Sequence, residues 1–234
     1  MRAQTATAAD ETGRLKGRIR QRQESAMLKA AEKVFARAGF QGATMAEIAD
    51  LAGVPKATLH YYFGSKEELY RAVLDNILDL WLAETESITV DADPATALTT
   101  YVQAKMRLSA RRPDASRVFA NEIVHGATHI GEYLRTELRR TVEARAAVID
   151  QWAAEGRILP VDATHLFFTI WAATQTYADF ENQVCAVLGK PRLSVSDHQR
   201  ATAHVLTVVL RTCGLPCVSG QPRPVSPSPA NTTH

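Results

Sequence analysis

The chain has 234 residues, 46% of them hydrophobic, and a formal charge of +2. That length supports one or two domains with a sizeable core, and no apolar run approaches the roughly 20 residues of a membrane span. The N-terminal stretch MRAQTATAADETGRLKGRIR has no apolar segment, so no secretory signal is expected, and three cysteines (Cys185, Cys213, Cys217) suit a reducing cytoplasm better than a disulfide framework.

Charge is unevenly spread. Residues 14–37 carry eight Lys or Arg against two Glu, a segment suited to neutralising phosphates and to salt-dependent DNA affinity. Residues 1–17 read as a basic arm without structure when DNA is absent. A first helix is expected over 18–38, with Ala26, Met27, Ala30, Ala31, Val34 and Phe35 at helical spacing.

The stretch TMAEIADLAGVPKATLHYYFGSKEEL over 44–69 carries the densest signals. Thr44 with Glu47 has the spacing of a capping box, and Met45, Ile48, Ala49 and Leu51 supply an apolar face. Gly53 stands where the chain must turn with φ > 0. Pro55 suits the first position of a second helix, and Ser65 with Glu68 forms another capping-box pattern. Helix, tight turn, short helix and a new helix start describe a helix-turn-helix, whose second helix enters the DNA major groove. In that helix Leu59 is the inward anchor. Lys56 reaches a phosphate or guanine, Thr58 a thymine methyl or acceptor, and His60 a base or the backbone. Thr44 adds a backbone N–H near the first phosphate.

The motif Tyr61-Tyr62-Phe63-Gly64-Ser65-Lys66-Glu67-Glu68-Leu69, with Ala38-Gly39-Phe40 ahead of it, resembles the signature of the tetracycline-repressor (TetR) family of transcription regulators. The resemblance is tight over residues 20–85. It implies that Tyr61 and Lys66 lean on DNA phosphates. It also implies an all-α fold, with an N-terminal three-helix DNA-binding domain (18–64) and a C-terminal helical effector-binding and dimerisation domain (65–215). The partners implied are double-stranded DNA with a palindromic operator, a small-molecule effector and a second copy of the chain joined through its last two helices. No membrane partner and no cofactor are expected.

Beyond the motif the expected helices run 65–86, from Pro94 to a break at Arg112-Pro113, on to Val124, from 130 to 155 with Gly156 as its cap, from about 163 to 188, and from Ser194 or Ser196 to Cys213. The last two are apolar over more than one face, as burial on two sides requires. Residues 216–234 hold five prolines and are expected to lack structure.

Several segments, among them Ile77–Leu82, Pro113–Arg117, Ala146–Trp152 and Ile170–Phe180, are similar to a pyrimidine-responsive branch of the same family, whose members bind uracil and thymine. The chemistry of the residues is compatible. Trp171 and Gln175 are four apart and share a helix face. An aromatic surface stacks on a flat pyrimidine, and an amide that donates and accepts matches its imide edge. Trp81 would close the pocket toward the DNA-binding head, with Phe119, Asn121 and Glu122 on the opposite wall. The segment from His125 to Gly131 and His60 depart from that branch, so a different heterocyclic or hydrophobic effector is the alternative. A remoter reading places a metal on Glu122, His125 and His129, although Glu-x-x-His occurs without the second copy a di-metal bundle needs. No nucleophile–base pair points to an enzyme.

Overall fold

The computed structural model describes the backbone of residues 4–216 and the side chains from residue 17 onward. Almost all of the proline-rich tail, Cys217 included, lies outside the described residues, as do the side chains of the basic arm.

Among the described residues there are ten helices and no strand. The head comprises α1 (Gln4–Gly42), α2 (Met45–Ala52) and α3 (Lys56–Phe63), and α4 (Lys66–Ala83) leads out of it. A 3-10 turn, Glu84–Ser87, follows. Then come α5 (Pro94–Arg111) and α6 (Pro113–Val124). Helix α7 joins Gly131–Tyr133, a π-turn at Leu134–Leu138 and Arg139–Ala154. The chain ends in α8 (Ala163–Asp179), α9 (Glu181–Leu188) and α10 (Val195–Thr212).

Local chemistry accounts for most boundaries. The Ser65–Glu68 capping box is made in both directions, and a second one forms between Ser194 and Asp197. Asp93 caps α5 with Pro94 in its first turn. Gly53 adopts φ 67°, the left-handed conformation that the turn requires. Gly64 also has a positive φ of 65°, with ψ −73°, and a Cβ there would collide with the Glu68 carboxylate that closes the capping box.

Five expectations are corrected. Helix α1 starts at Gln4, so residues 4–17 continue the helix rather than forming a structureless arm; the stretch has no proline to stop it. Thr44 Oγ accepts the Glu47 N–H at 3.2 Å, but the Glu47 carboxylate turns to Arg37 instead of closing a capping box. Pro55 is the cap of α3 rather than its first residue, since its ψ of 142° is extended. Leu51 is 53% exposed, on the far side of α2 from buried Met45, Ile48 and Ala49. The single helix expected over 163–188 breaks at Phe180, whose φ and ψ of −116° and 31° separate α8 from α9.

Two cores hold the chain. One gathers Met27, Val34 and Phe35 of α1 with Ile48, Leu59, Leu69 and Leu74, and it also takes in Ala115 and Val118 of α6. The head is therefore packed directly on the C-terminal domain. The other core joins Tyr101 of α5, Trp152 of α7, Phe167 and Ile170 of α8, and Val205 and Val209 of α10. An ion pair reinforces the first junction: Arg112, between α5 and α6, donates to the buried carboxylate of Glu32 on α1.

Candidate DNA-reading face and effector pocket

Helix α3 is held from beneath by Leu59 and Phe63, both buried, which leaves its opposite side open. Lys56 and His60 are exposed, Thr58 is half-buried, and Tyr61 is 79% exposed. The Tyr61 ring meets the Tyr62 ring edge to face at 5.8 Å and leaves most of its surface open. His60 Nδ1 lies 2.8 Å from the Gly64 carbonyl. With the proton on Nδ1 for that bond, Nε2 is an acceptor facing solvent, a match for the amino group of adenine or cytosine. Tyr62 ties α3 to α1: its hydroxyl donates to Gln23 Oε1 at 3.0 Å, and the Arg20 guanidinium lies 5.7 Å from its ring centre. Exposed Arg20 thus stands beside the recognition helix, with exposed Arg18 and Arg22 on the same stretch of α1.

Lys66 has a different position from the one expected. Its ammonium donates to the carbonyls of Phe40 at 2.8 Å and Ala43 at 3.1 Å and sits 4.6 Å from the Phe40 ring centre. It satisfies carbonyls left open where α1 ends, so its donors are turned into the protein rather than toward phosphate.

A cavity of about 280 Å³ lies between α4, α5, α6, α7 and α8, near the lower end of the about 300–1,000 Å³ typical of small-molecule sites. Trp81, Phe119 and Trp171 are its aromatic walls, and Gln175 opens into it beside Trp171. Trp81 and Phe119 meet edge to face with centroids 4.6 Å apart. Trp171 Nε1 donates to the Tyr101 hydroxyl at 2.7 Å, which fixes the indole against α5. Burial holds the Tyr101 phenol above its ordinary pKa, so it stays a neutral hydroxyl. The π-turn at 134–138 sends Leu134 and Leu138 into the cavity. Such turns recur at functional sites.

Residues 27–73 match the family described as "Bacterial regulatory proteins, tetR family", and residues 74–216 match "YcdC-like protein, C-terminal region". The HTH-type transcriptional regulator RutR of Escherichia coli K12 is 42% identical over 185 residues, spanning 79% of this chain and 87% of RutR. The chain belongs to the TetR family. It is a DNA-binding transcriptional regulator of that family. The HTH-type transcriptional repressor NicS of Pseudomonas putida is 32% identical over 56% of the chain and 63% of NicS. Among solved structures, the ketosteroid transcriptional regulator KstR2 of Mycobacterium tuberculosis superposes with a TM-score of 0.64 at 21% identity, over 80% of this chain and 92% of that one. AibR in complex with isovaleryl coenzyme A and operator DNA gives 0.60 at 22% identity, over 78% and 96%. At those identities the structural likeness concerns the fold.

In this TetR-family chain four of the six residues expected at the effector site share the cavity: Trp81, Phe119, Trp171 and Gln175. Asn121 and Glu122 do not. On α6 the side chains at 119 and 123 face the cavity, one turn apart, while those at 121 and 122 point elsewhere. Glu122 is buried toward the head, where it accepts the His129 N–H at 2.6 Å and lies 3.1 Å from His129 Nδ1. It also faces the Tyr70 phenol, whose pKa is held high by burial first and by this carboxylate second. The metal alternative fails on the same geometry. His125 is exposed with Nδ1 against the Asn121 carbonyl, and among the described residues no group of three His, Cys, Asp or Glu is placed to hold an ion. Cys185 and Cys213 are free and buried.

None of the cavity's other lining residues was expected there from the sequence, among them Tyr101, Arg145 and the charged Lys105. Lys105 on α5 is 4% exposed and lies with its ammonium 4.2 Å from the Trp81 ring centre. In the sequence it stands in KMRLSARR, which reads as a solvated basic face. Its sole signal was its spacing from Tyr101 and Leu98, four and seven residues back on the buried stripe.

Proposed function

We propose that this protein is a cytoplasmic homodimeric repressor whose hold on a palindromic operator is relieved by a small planar effector, a pyrimidine such as uracil or thymine. The observation that carries the reading is the pairing of Trp171 and Gln175 on one face of α8 inside an aromatic cavity closed by Trp81. The rings stack on the heterocycle, and the Gln175 amide donates to a carbonyl and accepts from the adjacent N–H. The similarity to RutR supports this choice over other effectors.

Helix α4 links cavity to head. Capped by Ser65 directly after the recognition helix, it carries Trp81 in its last turn, in the cavity wall. Phe119 ties the same wall to α6, which packs on α1. An effector that separates Trp81 from Phe119 therefore bears on both elements that orient the head. Two recognition helices must sit about 34–36 Å apart to read successive major grooves. The effector acts by binding better to a state with another spacing, and by linkage DNA weakens effector binding by the same factor. Contacts to DNA are assigned to Lys56, Thr58, His60, Tyr61 and the N-terminus of α2 at Thr44. For the dimer, α8 and α10 supply the face: Phe168 and Val208 are 49% and 43% exposed on the single chain, consistent with burial against a second copy.

Calorimetric titration of uracil into wild type and Gln175→Leu tests the effector assignment. Loss of two hydrogen bonds should weaken binding about tenfold or more. Equal affinities would remove Gln175 from the site.

A further inference from the structure

Lys105 is placed where a charge has little reason to be. Ala104 and Met106 beside it are buried, and its side chain lines the effector cavity and a crevice too small for a water molecule that also touches Gln175, Ser116 and Arg112. Among the described residues no side chain or carbonyl stands at hydrogen-bond or ion-pair distance from it, and its contact is the Trp81 ring face. Cation–π contact offsets part of the desolvation, but an ammonium removed from water still has three donors to satisfy. Asp179 and Glu84 favour its charge from a distance, whereas burial dominates and brings its pKa to about 8. The other cations nearby are engaged: Arg145, in the cavity wall, donates to the Ile88 carbonyl, and Arg112, at the crevice, pairs with Glu32.

We infer that Lys105 is a specificity-determining residue of the effector pocket, its ammonium receiving an exocyclic oxygen of a planar ring held among Trp81, Phe119 and Trp171. The inference rests on this cavity being the effector site. It names the ligand class more narrowly than aromatic stacking does: planar rings bearing a carbonyl or carboxylate oxygen. In a pyrimidine-2,4-dione the imide edge, one carbonyl with its N–H, engages Gln175, and the second carbonyl remains for the ammonium. Gln175 on α8 and Lys105 on α5 both line the cavity, so one ring can meet the two groups. A pocket with a buried donor rejects a ring lacking the oxygen far more strongly than an apolar pocket rejects an extra methyl, because the donor is then left unpaired.

The test is calorimetric titration of the full-length protein with uracil, thymine, benzoate and toluene, in wild type, Lys105→Met and Lys105→Gln. Wild type should bind at least one oxygen-bearing ring and prefer it to toluene. Lys105→Met should bind that ring about ten- to a hundredfold more weakly and toluene at least as well as wild type does. Lys105→Gln, which keeps a donor, should recover part of the loss, and it decides the matter if the methionine variant does not fold. Benzoate binding through Lys105 without uracil or thymine binding would uphold the inference and overturn the pyrimidine reading. Oxygen-bearing rings bound equally well by all three proteins would overturn the inference and leave the pyrimidine reading standing. Failure of wild type to bind any of them would overturn both.

Discussion

Replacing Lys105 with methionine is expected to make the protein more stable at neutral pH. Burial moves the lysine pKa from 10.5 to about 8, which corresponds to about 3 kcal/mol working against the folded state while the group is charged. The sign follows from proton counts. Between pH 8 and 10.5 the unfolded chain binds a proton that the folded chain does not, so the wild type gains stability as pH rises through that window. Methionine fills a similar volume without a charge. Its advantage should therefore be about 3 kcal/mol at pH 7 and should shrink toward zero near pH 10.5. Urea unfolding of both proteins at pH 7 and pH 10 measures the difference. A saturating effector that engages the ammonium should narrow the gap at pH 7, because it stabilises the wild type alone. A variant less stable than wild type at pH 7, or an advantage that ignores pH, would refute the reasoning that the lysine is buried at a cost the ligand offsets.

Arg112→Met strands the Glu32 carboxylate on α1 and should cost about 2–4 kcal/mol, read as a fall in urea midpoint; a change within error would show the pair to be dispensable. Gly53→Val places a branched side chain at φ 67° and should cost about 1–2 kcal/mol, with a loss of DNA binding that tracks the unfolded fraction. Lys56→Ala should weaken binding to operator and to random DNA alike if it contacts phosphate, with the salt dependence shallower by about one ion; a loss confined to the operator would assign Lys56 to a base instead. Trp81→Ala should leave operator affinity near wild type and abolish its response to effector, as a mobility-shift titration would show.

The caps and turns of the helix-turn-helix were legible in the sequence because they depend on near neighbours. Ser65 finds Glu68 three residues on, and Gly53 must take a conformation that few other residues tolerate. Trp171 and Gln175 were legible as a pair through their helical spacing on α8, and Trp81 through its place near the end of α4. What the sequence concealed depends on contacts between distant segments. Lys66 carries the motif of a phosphate contact, yet three-dimensional packing turns it onto the end of α1. Glu47 had the spacing of a capping partner, but Arg37 competes for it. Glu122 and Phe119 lie three apart on α6, close enough to be read as one wall, yet the rotation of the helix sends one toward the head and the other into the cavity. Lys105 was hidden for the opposite reason. Its flanking arginines suggest water, and burial emerges only when α4, α5 and α8 close around it.

The most direct test of the account is binding of the protein to DNA upstream of its own gene at fixed salt, with and without uracil or thymine. The account predicts tight, sequence-specific binding that either pyrimidine releases. Tight binding indifferent to both would contradict it.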